Sequence, residues 1–412
     1  MSGGSARISV VIAGGGPAGM MLGLLLARAG IQTLVLEKHA DFLRDFRGDT
    51  LHPSTLEVMA ELGLLERLLE LPHDRVPEIA AQFGDTPLKV ADFRHLPTRC
   101  GFIAMMPQWD FLNFLAREAA RYPAFRLQMN TEVTRLVERD GRIVGVNDIE
   151  ADLVVGADGR HSTVRRLARL EVDSHGAPID VLWFRLRREA SDPQTSMGRF
   201  DAGAAFVLIN RREYWQCGYV IPKGAADEVR GAGLPAFQKN LVRLVPWAAD
   251  RAHEIADWEQ VKLLTVQIDR LKQWWRPGLL CIGDAAHAMS PVGGVGINVA
   301  IQDAVAAGNI LGGGDFSDEK LRAVQRRREW PVKVTQRLQI LAQDRIITRV
   351  LRSRRPLKPP LFFRLLTRYA LLRRVPGRLI GMGIRPEHVE SRANVSRVDE
   401  WIRPRDKSSG KP

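Results

Sequence analysis

The chain has 412 residues, 45% of them hydrophobic, and a formal charge of +13; this length allows two or three domains with sizeable cores. Its three cysteines, Cys100, Cys217 and Cys281, are odd in number, far apart and free of any CxxC pattern, and the nine histidines show no HxxxH spacing. These features argue against a redox dithiol or a metal site and point to reduced thiols in a cytoplasm. Residues 315–412 hold roughly 25 basic and 10 acidic side chains, so the remainder is close to neutral. No nucleic-acid recognition motif accompanies this surplus, which leaves a solvated basic helical face, an anionic membrane surface or an acidic partner.

The first element is an apolar strand, Ile8 to Ala13, which enters the turn Gly14-Gly-Gly-Pro-Ala-Gly19. An apolar helix follows, then a strand from Gln32 to Leu36 that ends at Glu37. Gly14 suits the tight turn, Gly16 lets backbone approach a pyrophosphate, and Gly19 lets helix and strand pack closely. The helix N-terminus then offers free N–H groups and a positive dipole to phosphate. A carboxylate at Glu37 can accept both ribose hydroxyls and repels a 2′-phosphate, so the expected dinucleotide is FAD or NAD rather than NADP. The glycine turn also interrupts the N-terminal apolar run, which rules against reading Met20 to Leu26 as part of a signal or spanning segment.

Leu56, Met59, Leu62, Leu65 and Leu69 recur at helical spacing, predicting one helix from about Pro53 to Glu70. Short alternating runs and prolines from Val76 to Cys100 predict strands and turns. Gln108 opens an amphipathic helix with Phe111, Leu112, Leu115 and Ala119 on one face. Three short strands follow between Phe125 and Val146, the last two joined by the hairpin signal Arg139-Asp-Gly141. The buried strand Leu153-Val-Val155 runs into Gly156-Ala-Asp-Gly-Arg160. Residues 179–275 are β-rich, which suggests a second domain on a mostly antiparallel sheet.

The apolar strand Leu279 to Ile282 ends in Gly283-Asp284, followed by Pro291-Val-Gly-Gly-Val-Gly-Ile-Asn298 and another helix. A carboxylate at the carboxyl end of a strand, with glycines baring the backbone at a helix N-terminus, can hold the polyol and ring edge of a large cofactor.

Taken together, Gly14-x-Gly-x-x-Gly19, Val155-Gly-Ala-Asp-Gly-Arg160 and Gly283-Asp284 with Pro291 to Asn298 and Asp303 resemble the class A flavoprotein monooxygenases, the aromatic hydroxylases of the p-hydroxybenzoate hydroxylase fold. The resemblance spans roughly residues 6–330. It implies an α/β fold with a Rossmann-type FAD-binding domain, formed by residues 1–75, 100–178 and 276–325. A mostly antiparallel β-sheet substrate domain would comprise residues 76–99 and 179–275, followed by a basic helical region at 326–412.

By this resemblance Gly14, Gly16, Pro17, Ala18 and Gly19 would hold the FAD pyrophosphate, and Glu37, with Lys38 beside it, the adenosine ribose. Asp284 beside Gly283 would hold the ribityl chain. Pro291, Gly294, Gly296, Ile297 and Asn298 would lie along the isoalloxazine, with the N–H groups of Gly296 and Ile297 near its O2 and Asn298 at the pyrimidine edge. Arg47 and Gln108 would touch the cofactor, and Asp158 and Gly159 belong to a motif linked both to FAD and to transient contact with NADPH. No second glycine-turn unit follows Gly19, so NADPH or NADH would bind transiently on the surface. The family chemistry is flavin reduction by NAD(P)H, addition of O2 at C4a and delivery of one oxygen atom from the hydroperoxide to an electron-rich carbon. It requires no catalytic triad and no metal.

Substrate residues are expected on the middle sheet. Alternation puts Trp215, Cys217 and Tyr219 on one face, where they form either an aromatic wall or ordinary sheet core. Tyr219 or Tyr214 could polarise a substrate hydroxyl, Arg185 could meet an anionic group, and His52 or His73 could act as a base. The C-terminal run from Phe362 to Arg374, after Pro356 and Pro360, interleaves aromatic and aliphatic residues with arginines. It would either pack over the active-site opening or make peripheral membrane contact. The expected protein is a monomer or homodimer acting on an aromatic, polyketide-like or lipophilic small molecule. The rival readings are a flavin-dependent reductase of polyprenyl double bonds and a non-catalytic flavin-binding regulator.

Overall fold

The structure, a computed structural model, describes residues 8–43, 49–193, 196–355 and 357–391. Arg47 lies outside the described residues.

One half of the molecule is built on a six-stranded sheet in the spatial order Trp275–Arg276, Leu279–Cys281, Leu153–Gly156, Val10–Ala13, Thr33–Leu36, Phe125–Gln128. All neighbours are parallel except the first pair. Parallel strands covered on both faces read as unbroken apolar runs, and Val10 to Ala13, like Leu153 to Gly156, is buried throughout. The helices Pro17–Arg28 and Gly296–Leu311 pack against each other beside this sheet. Val292–Leu311 is, among the described residues, the one helical stretch long and apolar enough to cross a membrane, and 61% of its apolar window is buried inside the protein.

The other half is a seven-stranded sheet in the order Lys262–Leu264, Ile179–Arg187, Tyr214–Pro222, Ala204–Asn210, Met197–Asp201, Glu78–Phe83, Thr86–Asp92. Its pairs are antiparallel apart from Met197–Asp201 with Glu78–Phe83. One face, carrying Phe184, Trp215, Cys217 and Tyr219, is covered by Phe237, Leu241 and Leu244 of the helix Leu234–Leu244 and by the turn-rich segment Pro246–Glu254. The opposite face, carrying Val181, Trp183, Ala205 and Val220, packs with Val292, Ile347 and Val350.

Two expectations need correction. The run from Pro53 to Glu70 is two helices, Pro53–Glu61 and Leu65–Leu69. The break falls at Gly63, whose φ of +71° no helix accommodates. The division placed at residues 325 and 326 falls inside a continuous helix, Asp318–Ala342, so the start of the C-terminal region is part of the scaffold. All three cysteines are buried free thiols.

Candidate FAD and substrate site

Three turns converge at the carboxyl ends of parallel neighbours. The backbone of Ala157 and Asp158 lies so close to Gly14 (φ +107°) that a Cβ there would sit 2.4 Å from the Ala157 oxygen. A Cβ on Gly19 would sit 2.0 Å from the Gly14 oxygen, so the helix Pro17–Arg28 can rise directly out of the turn only with glycine there. Gly283 packs on Ala18 and Ala300, which brings the third turn and half-buried Asp284 to the same edge. Carboxyl ends of parallel strands are where open α/β sheets bind ligands.

This edge fits FAD. Above Gly16 a Cβ would meet none of the described residues within 4 Å, so among them its backbone is open to a phosphate. The first bonded amide of the helix is Met20 N, 2.9 Å from Gly16 O, which leaves the preceding N–H groups at an open end. Glu37 ends its strand with Oε2 accepting from Gly15 N at 2.9 Å and Oε1 from His39 N at 3.1 Å, so its carboxylate is oriented before any ribose arrives. Lys38 beside it is exposed. Asp158 accepts from Val164 N through Oδ2 at 3.0 Å, while its buried Oδ1 has no partner among the described residues and could accept from a ligand hydroxyl. Gly159 next to it is also open.

The loop expected to lie along the flavin is braced from three sides. Gln339 Nε2 donates to the carbonyls of Ser290 and Val292, each at 2.9 Å, and Gln336 Nε2 to those of Asp269 and Ala288 at 2.8 and 3.0 Å. Thr50 Oγ1 donates to Gly294 O at 2.8 Å. Beneath the Gly283 turn, buried Asp303 accepts from Gly283 N at 3.1 Å, lies 2.5 Å from His287 Nε2 and accepts from Arg328 Nε at 2.9 Å. Burial would raise the Asp303 carboxyl, but His287 and Arg328 together outweigh it and hold it below the usual carboxylate range. Arg328 continues to Glu387 at 3.2 Å, so the C-terminal segment is tied to the same network. His287 thus braces the cofactor turn.

Gly296 and Ile297 open the helix after Pro291, ahead of its first cap bond, Val299 N to Val295 O at 3.0 Å. Their N–H groups stand at the helix end. The side chain of Asn298 is buried. Its Oδ1 accepts from His52 N at 2.8 Å and Thr55 Oγ1 at 2.7 Å, and its Nδ2 donates to Thr50 O at 3.1 Å. Buried and committed to protein, this amide staples the loop to residues 50–55 instead of reaching a pyrimidine edge.

The substrate candidates separate by sheet parity. Tyr219 lies opposite Leu182, on the face covered by the helix Leu234–Leu244, with its ring 5.5 Å from that of Phe237. Trp215 is fully buried there, and its Nε1 donates to Asp192 at 2.9 Å. These residues and Cys217 are sheet core under the helix Leu234–Leu244; the other face, on which Ile347 and Val350 pack, is the one that meets Val292. Arg185 and Tyr214 belong to the other face, and the Arg185 guanidinium lies 4.8 Å from the Tyr214 ring centre. His52 is no base at the surface of a site: it is fully buried, its Nδ1 donates to Ile380 O at 2.7 Å, and burial pulls its pKa down to about 4. His73 contacts Leu71 O through Nδ1 at 2.8 Å and stacks on Phe102.

Sequence reasoning missed Asp49, Arg211 and Gln216. Asp49 Oδ1 accepts from Gln108 N at 3.0 Å, while its Oδ2 pairs with Arg211 in the turn between the strands Ala204–Asn210 and Tyr214–Pro222. Arg211 also donates to Gln216 at 3.2 and 3.1 Å. Burial draws the Arg211 guanidinium down to about 10, so it stays charged at neutral pH. The pair joins the two halves of the protein at the helix that Gln108 begins. One hint was legible: Gln216 interrupts an otherwise apolar and aromatic strand.

Residues 7–328 match the FAD binding domain family, and the chain belongs to it: this is an FAD-dependent monooxygenase of the class A flavoproteins. The chain is 33% identical over 389 residues to 6-methylpretetramide 4-monooxygenase of Streptomyces rimosus, covering 90% of this chain and 92% of that protein. It is 29% identical to the rifampicin monooxygenase of Streptomyces venezuelae over 73% of this chain, and spans 63% of that longer protein. The crystal structure of p-nitrophenol 4-monooxygenase from Pseudomonas putida superposes with a TM-score of 0.72 at 20% identity, over 91% of this chain and 95% of that one. This last likeness concerns the fold.

Proposed function

We propose that this enzyme hydroxylates a fused-ring phenolic substrate of polyketide type, with NADH or NADPH as a transient reductant. The reading is carried by the wall that the seven-stranded sheet turns towards the flavin loop. It is apolar, formed by Val181, Trp183, Ala205 and Val220, which are buried with Ile347 and Val350 and meet the loop at Val292. The near full-length similarity to 6-methylpretetramide 4-monooxygenase supports the same substrate class. The missing second glycine-turn unit supports a nicotinamide that visits and leaves.

FAD, when bound, supplies hydride acceptance and oxygen activation. The chain supplies placement and dryness. The Gly14 turn and Glu37 would hold the adenosine half and Asp284 would reach the ribityl chain, while Gln339 ties down Ser290 and Val292 and Gln336 the preceding Ala288. The Trp183 ring packs on Gly218, where a Cβ would meet it at 3.1 Å. Buried beside Val292, it would help keep water from a planar ring system held at the loop.

The test is a panel of mono- and polycyclic phenols incubated with FAD-loaded enzyme and either nicotinamide, following nicotinamide oxidation and product mass. Polycyclic phenols should stimulate oxidation about tenfold or more and yield products heavier by one oxygen atom. Stimulation by simple phenols alone would sink the polyketide reading, and protein purified without flavin would sink the enzyme itself.

A further inference from the structure

Residues 345–385 contain twelve Lys and Arg and no Asp or Glu. Within this stretch the helices Leu361–Arg368 and Arg374–Gly381, joined by the turn Ala370–Arg373, pack on the edge strand Thr86–Asp92 of the seven-stranded sheet. Their inner sides are spent on this contact. Leu366 is buried, Phe363 places its ring 5.7 Å from that of Phe83, and Gly377 lies so close to Asp92 that a Cβ would sit 2.2 Å from its carbonyl oxygen.

Among the described residues nothing covers the outer side. Leu361, Phe362, Leu371 and Val375 are 68%, 62%, 71% and 63% exposed, and Arg364, Arg368, Arg374 and Arg378 stand exposed around them. Single exposed apolar residues are ordinary, but several on one short segment mark an interaction surface. At 100° per residue Leu361, Phe362 and Leu365 share one arc of the helix, with Arg364 and Arg368 along its border.

We propose that this surface is a peripheral docking face for an anionic lipid bilayer. Charge decides the occupant. A second copy of the chain would bring the same acid-free arginine cluster against itself, so that apolar contact would be opposed by like charges. Anionic headgroups instead complement the arginine border while Phe362, Leu361 and Leu371 enter the acyl boundary, and neither component suffices alone. The surface is also rigidly connected to the site, because Ile380 O of the second helix accepts from His52, whose own N–H is bonded to Asn298 of the flavin loop. This inference is independent of the substrate class proposed above.

The experiment is co-sedimentation of the FAD-loaded full chain with vesicles of phosphatidylcholine alone or with one quarter phosphatidylglycerol, at low and half-molar salt. Binding should require phosphatidylglycerol and fall about tenfold in high salt. Phe362→Asp with Leu371→Asp, and separately Arg364→Glu with Arg368→Glu, should each abolish it while flavin absorbance and far-UV dichroism stay unchanged. Absence of binding to anionic vesicles would overturn the proposal. So would a concentration-dependent dimer, seen by light scattering and lost in the first variant, without lipid binding.

Discussion

Arg211 and Asp49 form an ion pair in which each side chain is only 5% exposed, and it joins the seven-stranded sheet to the residues that precede the Gln108 helix. Removing one member leaves the other charged and desolvated. Arg211→Met should therefore lower stability by about 3–5 kcal/mol, while Asp49→Leu combined with Arg211→Met should recover a good part of that loss. Urea denaturation of the three variants checks this. A single variant within about 0.5 kcal/mol of the parent would mean that the pair does not hold the halves together.

The glycines of the first turn should separate folding from cofactor binding. Gly19→Ala puts a methyl against the Gly14 carbonyl and should reduce both stability and flavin content. Gly16→Ala meets no protein atom within 4 Å; it should fold with a melting temperature close to that of the parent apoprotein, yet bind FAD about tenfold or more weakly, because the methyl occupies the phosphate approach. Flavin titration alongside thermal melting distinguishes the two. Unchanged FAD affinity in Gly16→Ala would move the pyrophosphate elsewhere.

His52 predicts a pH dependence with a definite sign. Its folded pKa, lowered by burial to about 4 from 6.5, means that below pH 6.5 the unfolded chain takes up a proton that the folded chain refuses. Stability is therefore full above that pH and declines on acidification down to about pH 4, by roughly 3 kcal/mol in total. Asp303, with its depressed carboxyl, adds a second loss that begins only below the ordinary carboxylate range near pH 4. Melts of the parent and of His52→Gln between pH 7 and 4 should differ in slope, and parallel curves would refute the assignment.

The two faces of the seven-stranded sheet should respond differently to substitution. Tyr219→Phe, on the helix-covered face, should leave kcat/KM within about twofold. Gly218→Val, which drives a branched side chain into the Trp183 ring, should raise KM about tenfold or more with a smaller effect on kcat. Steady-state kinetics with the best substrate of the phenol panel decides. A catalytic loss in Tyr219→Phe that matches the one in Gly218→Val would reverse the assignment of the faces.

The motifs that grip the cofactor were legible because each is contiguous. A strand, a glycine turn and a helix N-terminus within a dozen residues impose their own local geometry, so Gly14, Gly19 and Glu37 could be placed without knowing what surrounds them. The helix break at Gly63 was hidden because leucine spacing continues through it, and periodicity registers the apolar face rather than the backbone dihedral that interrupts it. Gln336 and Gln339 were equally hidden, since a glutamine on a charged helix reads as solvated until the carbonyls of Ser290 and Ala288 are found against it.

The chain by itself determined the α/β class, the FAD-type dinucleotide grip and the two-sided alternation of the strand Tyr214–Pro222. Only the tertiary structure decided which of those two sides meets the flavin loop. Alternation assigns residues to opposite faces but carries no sign; the helix Leu234–Leu244 covers Trp215, Cys217 and Tyr219, while Trp183 and Val220 pack with Val292 of the loop after Ser290 and with Ile347 and Val350. The ties between distant segments, Asp49 with Arg211 and Asp303 with Arg328, were likewise beyond local reading, because an ion pair leaves no periodic trace and is made only when folding brings its members together.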